Sequence, residues 1–506
     1  MKTLFVNAIK MSSDYPDYSI GQMILKKILE ETQDVELIDF DLMSYRGSFQ
    51  YGTNLRYSIS NMGEYLISKK PSLISFYTMC NMFHIVVELT EYIKSRQKNI
   101  TIIWAGPQAT LLADECMNSF SGVDIISRGE GERNIIPLIR ALEEGQSLSK
   151  IQGISYRISG NIIHNEDAPL VPAVELHQYT VYDYAPYSIQ ERGYVELEGG
   201  RGCPFECTFC ATKTFWQQKF RIKPIEHLVK EMDTFYEMYQ IRDFVIIHDM
   251  FTANHNHLLE FCEAVRGKKY RWSCSSRLDV LNEKMIDYMY QSGCVSIYIG
   301  IETGSQRMQK IINKKLQLAC SLDKIKMICR KGINVTLSFM YGFPEENEQD
   351  IRDTLMFIQQ LLKCGIFQIQ LHQFIPLPKT AETEKVMDCL YWDLEQTDDS
   401  VVLPQYLDEA CVAKIREHPD IFSSYYTFDT PVKEKYRYLD ALAVLFHRST
   451  LPEVQKLFQR ENLTDFYIRN RQLFKKIHND LPIRRRSELR KDCMHVLRTE
   501  IRSEKR

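Results

Sequence analysis

The residues with the plainest capacity for chemistry are Cys203, Cys207 and Cys210, in the run GGRGCPFECTFC. Their spacing, Cys-x3-Cys-x2-Cys, offers three thiolates from one short loop, and Gly199, Gly200 and Gly202 allow that loop to fold tightly. Zinc asks for four tetrahedral ligands, commonly as two separated pairs. Three thiolates with no fourth partner leave one metal position open. On a cubane iron–sulfur cluster that open iron can chelate the amino and carboxylate groups of a small molecule. The plainer alternatives are a structural zinc site borrowing a distant Cys or His, or three unrelated core cysteines. The Pro after Cys203 and the aromatic Phe209 before Cys210 weigh against both. The other eleven of the 14 cysteines are scattered at long intervals and read as reduced, small apolar residues in cores.

The elements around this loop follow from periodicity. From Gly193 onward, GYVELEG, DFVIIHD, YRWSCSS, VSIYIGIE, NVTLSFMYG and FQIQLHQF are strand candidates separated by helical patterns. Six such units fall short of the eight of a full barrel and predict a partial, open (βα)6 barrel over residues 191–385. Chemistry in such barrels sits at the C-terminal strand ends. The unusual segments fall there: the cysteine loop, HDMFTAN, SSRLD, GIETGS, YGFPEE and IPLPKT.

Residues 1–145 alternate apolar runs at 3–9, 35–40, 72–77, 99–106 and 123–127 with helical patterns around 19–31, 82–95 and 134–143. Continuously apolar strands separated by helices predict an α/β domain with a doubly wound, Rossmann-like parallel sheet. Ligands of such sheets bind beyond the carboxyl ends of the strands. Residues 146–190 read as a connecting segment with a hairpin turning at 159–161, followed by VYDYAPYS. Residues 386–506 read as a helical C-terminal domain, with helical patterns at 438–449 and 454–462. Its last 56 residues hold 15 Lys/Arg against 8 Asp/Glu, densest at Arg484–Arg486. Such a run is usually a solvated helix face; the alternative is a landing site for an acidic peptide or nucleic acid.

Composition bounds the class. A chain of 506 residues is long enough for two to four domains. With 44% hydrophobic and 25% charged residues it is neither disordered nor fibrous. A net charge of −3 gives no global pull towards nucleic acid or anionic membrane. No apolar run approaches the roughly 18 to 20 residues of a spanning helix, and the start lacks a signal-peptide pattern. The expectation is a soluble, cytoplasmic protein without membrane or nucleic-acid partners.

The cysteine loop resembles the signature of the radical S-adenosylmethionine (SAM) superfamily, CxxxCxxC with an aromatic before the third Cys. The resemblance implies a 4Fe–4S cluster on Cys203, Cys207 and Cys210, SAM on the unique iron, and reductive cleavage to a 5′-deoxyadenosyl radical. It places the backbone of Phe209 against the adenine. GIETGSQRMQKIINK is similar to the family's G-I-E-S-G-S segment, with Thr303 for the usual Ser. That match sets Glu302 at SAM's ribose or amino group, with Gly304 and Ser305 lining its site; the alternative for Glu302 is a helix N-terminal acid. SSRLDVL resembles the third-strand segment, whose Arg277 can hold the SAM carboxylate or pair with Asp279. FMYGFPEE matches G-x-P-x-E, and IPLPKTAE matches P-x-P-G-T with Lys379 where Gly is usual. In HDMFTANHNH, Asp249 is expected to line the substrate cavity, while His255 and His257 open the next helix.

The first domain resembles the cobalamin-binding subclass of that superfamily. AGPQAT is close to its G-G-P-H-x-T, with Ala105 for the first Gly, and GEGE matches at 129–132. The resemblance covers about residues 70–385. It implies cobalamin contacts from Thr78, Asn81, Gly106, Pro107, Gln108, Gly129, Glu130 and Gly131. The alternative is ordinary strand-to-helix turns. No D-x-H-x-x-G is present to supply a lower cobalt ligand. The resemblance thus implies a cobalamin-dependent radical SAM C-methyltransferase: one SAM methylates cob(I)alamin, a second yields the radical, and an unactivated carbon takes the methyl. The substrate is a peptide or small molecule, and an external flavodoxin- or ferredoxin-type donor supplies electrons. Competing readings are a rearrangement, cyclisation or oxidation enzyme, and a non-enzymatic iron–sulfur or cobalamin sensor.

Overall fold

The computed structural model describes residues 1–8, 16–50, 54–393 and 407–435, with isolated positions 439, 442–443 and 446. Its first sheet contains seven strands among the described residues: β1 (Lys2–Asn7), β2 (Asp34–Asp39), β3 (Leu73–Tyr77), β4 (Thr101–Ala105), β5 (Ile125–Ser127), β6 (Ile154–Ile158) and β7 (Asn161–His164). Their order is β2-β1-β3-β4-β5-β6-β7, and the first five run parallel. Leu4, Phe5, Val6, Leu73, Ile74 and Phe76 are buried, as continuous apolar runs covered on both faces require. The order reverses between β1 and β3, which makes the ends of those two strands the topological switch point.

The predicted helices form at Ile20–Leu29, Phe83–Arg96 and Ile135–Glu144, and two further helices at Phe40–Tyr45 and Leu55–Ser68 carry weaker patterns. The connecting segment 146–190 does more than connect. Its hairpin adds β6 and β7 antiparallel to the edge of the first sheet. Its tyrosines Tyr179, Tyr184 and Tyr187 then bury themselves in the core of the second half. The Tyr187 hydroxyl donates to Asp39 Oδ2 at 2.9 Å, tying this segment to the end of β2. Isolated aromatics without period read as loop in sequence, yet each buries a large apolar area.

The second sheet holds β8 (Tyr194–Glu198), β11 (Asp243–Ile247), β12 (Arg271–Ser276), β13 (Cys294–Glu302), β14 (Asn334–Tyr341) and β15 (Gln368–Gln373), all parallel, in the order β15-β14-β13-β12-β11-β8. These are the six expected strands of an open barrel. Between β8 and β11 lies a small antiparallel pair, β9 (Gly200–Arg201) and β10 (Arg221–Ile222). Alternation sorts the barrel faces: Leu197, Ile246, Trp272, Ile297, Leu337 and Ile369 are buried under the helices. The opposite face is polar, with Ser275, Tyr298, Thr336 and Gln368 in one cross-strand layer.

In the C-terminal region, a helix spans Glu409–Glu417. Among the described residues around it, Cys411, Ile415, Ile421, Phe422, Tyr425 and Tyr426 complete the core beside the first sheet. The helical pattern expected at 454–462, most of that at 438–449, and the basic tail with Arg484–Arg486 lie outside the described residues.

Candidate active site

The cysteine loop is closed at its base by β9 and β10, where Arg201 pairs with Arg221 and Gly200 with Ile222. Only glycine fits this closure. Gly202 has φ 86°, and a Cβ on it would stand 1.9 Å from the Lys219 carbonyl oxygen; one on Gly200 would stand 2.3 Å from that of Arg221. The Gly202 N–H donates to Asp249 Oδ2 at 2.8 Å. The far side of the loop is docked as well. Thr208 donates to Glu382 Oε1 at 2.6 Å, and the Phe209 ring meets Phe343 edge-on at 5.8 Å. Phe209 is thus set in the small apolar cluster under the strand ends of β13 and β14.

Cys203, Cys207 and Cys210 are all partly exposed, and the charges of Cys207 and Cys210 act on Cys203. Burial pushes the Cys203 thiol up to about 11. Burial also raises Cys207, opposed by the cations Lys314 and Arg277 beside it. Among the described residues no group of three His, Cys, Asp or Glu is arranged to hold a single ion. Cubane ligation asks for something else: each thiolate binds its own iron, and the protons leave on binding.

The strand-end residues behave differently from one another. Glu302, buried and held at φ 68°, accepts from Lys314 Nζ at 2.6 Å. Lys314 was not singled out in the sequence, although it closes the same GIETGSQRMQKIINK run. Arg277 is committed: it grips Asp279 with two bonds of 3.0 and 2.9 Å, donates to the Lys314 carbonyl, and lies 3.8 Å over the Phe205 ring. Its Nη1 reaches Cys207 Sγ at 3.4 Å. Arg277 thus makes an ion pair with Asp279, and its guanidinium braces the cysteine loop.

Gly304 and Ser305 also have structural occupations. A Cβ on Gly304 would meet the Thr354 Cα at 2.6 Å, so the glycine serves close packing against helix Glu348–Leu362. Ser305 caps the helix Gln306–Ile311 and donates to Asp350 Oδ1 at 2.6 Å. Asp249 stands in the wall of the barrel interior and supports the loop through Gly202. His248, beside it, stacks on Phe220 at 5.2 Å; burial holds it down at about 3, so it is a neutral ring.

At the first sheet's edge, the motif side chains point into the protein. Thr78 is fully buried and donates to the Ala105 carbonyl at 2.8 Å, and Gln108 donates to the Ile421 carbonyl at 2.7 Å. Gly106 has φ 105°, and a Cβ there would press on Thr78 O and the Tyr77 ring. Pro107 opens the helix Pro107–Leu111. Gly129 donates to Thr110 Oγ1 at 3.1 Å, so the two glycine motifs hold each other, while Gly131 packs on Leu25. Glu130 is buried against Arg201 and Arg221. The side chains of Thr78, Gln108 and Glu130 are therefore engaged inside the protein, and Asn81 is half-buried at the edge.

Two cavities meet here. One of about 410 Å³ lies at the switch point between Asn7 and Tyr77, and reaches Glu196 and Ile247 of the barrel. The other, about 610 Å³, occupies the polar barrel interior between Asp249, Ser275, Tyr298 and Gln370. They share Ile20 and Ile247 in their walls, so the sheet edge and the barrel interior open towards one another.

Residues 197–358 match the radical SAM superfamily, a span that contains all three cysteines and runs through β14. Those residues form a radical SAM domain. The chain is 26% identical over 371 residues to an uncharacterized methyltransferase of Pyrococcus horikoshii, covering 71% of this chain and 78% of that one. An anaerobic magnesium-protoporphyrin IX monomethyl ester cyclase of Cereibacter sphaeroides is 22% identical over 59% of this chain, which spans half of the cyclase's length. Among solved structures, the radical SAM methyltransferase TsrM of Kitasatospora setae, with cobalamin and a 4Fe–4S cluster bound, superposes with a TM-score of 0.68. Identity there is 14%, over 98% of this chain and all of TsrM, so the two share both halves of the fold in one order. No helix among the described residues is long and apolar enough to cross a membrane.

Proposed function

We propose that this radical SAM enzyme is a cobalamin-dependent methyltransferase acting on an unactivated carbon of a peptide or small molecule. The observation that carries the reading is the meeting of two cavities: a switch-point crevice of a doubly wound sheet opens onto a polar barrel whose rim holds the three-cysteine loop. The full-length likeness to TsrM supports the same pairing of domains. Bound to this chain, a 4Fe–4S cluster supplies the electron that cleaves SAM, and cobalamin supplies a carrier for the methyl group.

The chain's own residues hold and shield these groups. Cys203, Cys207 and Cys210 ligate the cluster. Arg277 keeps Cys207 in place and adds a positive charge beside the thiolates, which favours the ionised form. The Phe209 backbone and the Glu302–Lys314 pair face SAM, with Glu302 accepting from ribose hydroxyls or the ammonium and Lys314 matching the carboxylate. The switch-point crevice at Asn7 and Tyr77 takes the corrin edge, with the backbone at Asn81, Gly106, Pro107, Gly129 and Gly131 around it. Gly304 and Ser305 set the shape of the strand end. Asp249, Tyr298 and Gln370 line the substrate's side of the cavity. A reductant is required, and a flavodoxin- or ferredoxin-type donor is the proposed one.

Anaerobic reconstitution with iron, sulfide and hydroxocobalamin tests this. Near-equimolar cobalamin retention, with S-adenosylhomocysteine and 5′-deoxyadenosine formed in equal amounts per product, is the expected result. Deoxyadenosine alone would favour cyclisation or rearrangement, the reading that the cyclase relative supports. No SAM cleavage on reduction would return the protein to a sensor.

A further inference from the structure

We propose that Glu130, on the first domain, is a positioning residue for the cysteine loop of the second, holding both of the strands that open and close it. Arg201 stands two residues before Cys203, on β9; Arg221 follows the loop, on β10. The Glu130 carboxylate bonds Arg201 Nη1 at 2.6 Å and Arg221 Nη1 at 2.9 Å. It thus bridges across the seam that closes the loop. Arg201 is shared further, with Glu132 and Glu198 at 2.6 Å each. Arg221 has only Glu130 as a carboxylate partner among its described ion pairs, with the Val171 carbonyl at 2.6 Å as its second acceptor.

Burial makes the arrangement exacting. The side chains of Glu130 and Arg201 are 3% and 6% exposed, and that of Arg221 is 11% exposed. In such surroundings an ionised group must keep its partner, so neither arginine can turn away without leaving a charge unmatched. Both guanidiniums also lie against the Trp216 ring, at 5.9 and 5.5 Å, and Trp216 belongs to the cysteine loop itself. The contacts therefore run from the first sheet through two arginines into the loop. The glycine-rich GEGE segment is used here through its two acids, pointing at the neighbouring domain.

The inference rests on the radical SAM reading of the loop, and its test reads the cluster without SAM cleavage or methyl transfer. In the reconstituted full chain, E130Q keeps the shape and removes the charge. Iron per chain is expected to fall at least twofold, and the electron paramagnetic resonance signal of the reduced remaining cluster to change. Cobalamin retention should stay near wild type, while the melting temperature of the unloaded chain falls by the cost of the unmatched buried arginines. R221Q should reproduce the loss, and the E130Q/R221Q pair should lose less than the two singles combined, because it removes both buried charges together. Wild-type iron and an unchanged signal in E130Q would overturn the proposal. So would loss of cobalamin with the cluster intact, which would return Glu130 to the corrin. If E130Q does not fold, E130D and R221K decide by the same two readings: an unaltered cluster in both overturns it, and a weakened one supports it. A wild-type chain that takes up no iron would instead refute the radical SAM reading.

Discussion

Glu302 is held in left-handed backbone at φ 68°, a conformation that costs a non-glycine residue on the order of 1–3 kcal/mol. The buried bond from Lys314 holds it there, and the two charges meet beside Cys207. Lys314→Met would strand the carboxylate, at about 3–5 kcal/mol of stability. Read by calorimetry on the reconstituted protein, SAM affinity should fall at least about tenfold, the worth of one charge-assisted bond; unchanged affinity would remove Lys314 from the site. Glu346 makes a second residue-level prediction. Burial carries its carboxyl up to about 8, while backbone hydrogen bonds from Gly342 and Phe343 oppose the shift. Because the folded chain keeps a proton that the unfolded chain releases near pH 4–5, its contribution is complete below that range and is lost as pH rises through about 8. Glu346→Gln still accepts from Gly342 but does not titrate. Its melting temperature relative to wild type should therefore rise between about pH 6 and pH 9; parallel profiles would sink the assignment. The cysteine ligands were legible in sequence because their spacing is local. Lys314 was not, because a lysine twelve residues after a carboxylate shows its partner only once the turn between them is folded.

The element that matters most is the loop closed by β9 and β10. Gly202→Ala sets a Cβ 1.9 Å from a backbone oxygen, which cannot yield as a flexible side chain would. Iron content after reconstitution should drop to less than half of wild type, while far-ultraviolet circular dichroism holds, since the pair is two residues long on each side. Full iron loading would show that the loop closes some other way. Lys379 illustrates the opposite economy: it occupies a left-handed position, φ 58°, where the matching motif has glycine, and it reaches Glu115 of the first domain at 2.5 Å. Relief of strain and loss of a half-exposed ion pair are each of about 1 kcal/mol, so Lys379→Gly should change stability by less than about that amount. All six barrel strands and the parallel sheet were legible, since their apolar faces repeat at the period of the element. Side-chain direction at the motif positions was not. Gln108 and Ser305 sit where the family pattern sets them, yet one amide goes to Ile421 and the other hydroxyl to Asp350, partners 313 and 45 residues away.

At the scale of the molecule, the two halves are joined by more than proximity. The ion pairs of Glu130 tie the first sheet to the loop, the tyrosines after β7 tie it to the barrel, and residues 421–428 run between the two. That last segment anchors on Tyr425. Its hydroxyl donates to the Cys80 carbonyl at 3.0 Å and meets His84 Nδ1 at 2.7 Å, while Ser423 donates to the Pro376 carbonyl at the end of the barrel. Phe422, the residue before Ser423, packs against Phe83 at 5.5 Å. Tyr425→Phe keeps the ring and its edge-on contact with Phe422 but removes both hydroxyl bonds in a buried place. Leaving a buried carbonyl and a buried imidazole nitrogen short of a partner costs about 1–3 kcal/mol. For a unit of this size that lowers the melting temperature by about 2–4 °C per kcal/mol. The location of the effect separates this account from general weakening. Hydrogen exchange should accelerate at 80–84 and 421–428, where the bonds are lost, and stay unchanged across the cysteine loop at 203–210, which is held by Glu130, Asp249 and Glu382 instead. Exchange that quickens equally in the loop would mean that the two halves and the cluster site open as one cooperative unit.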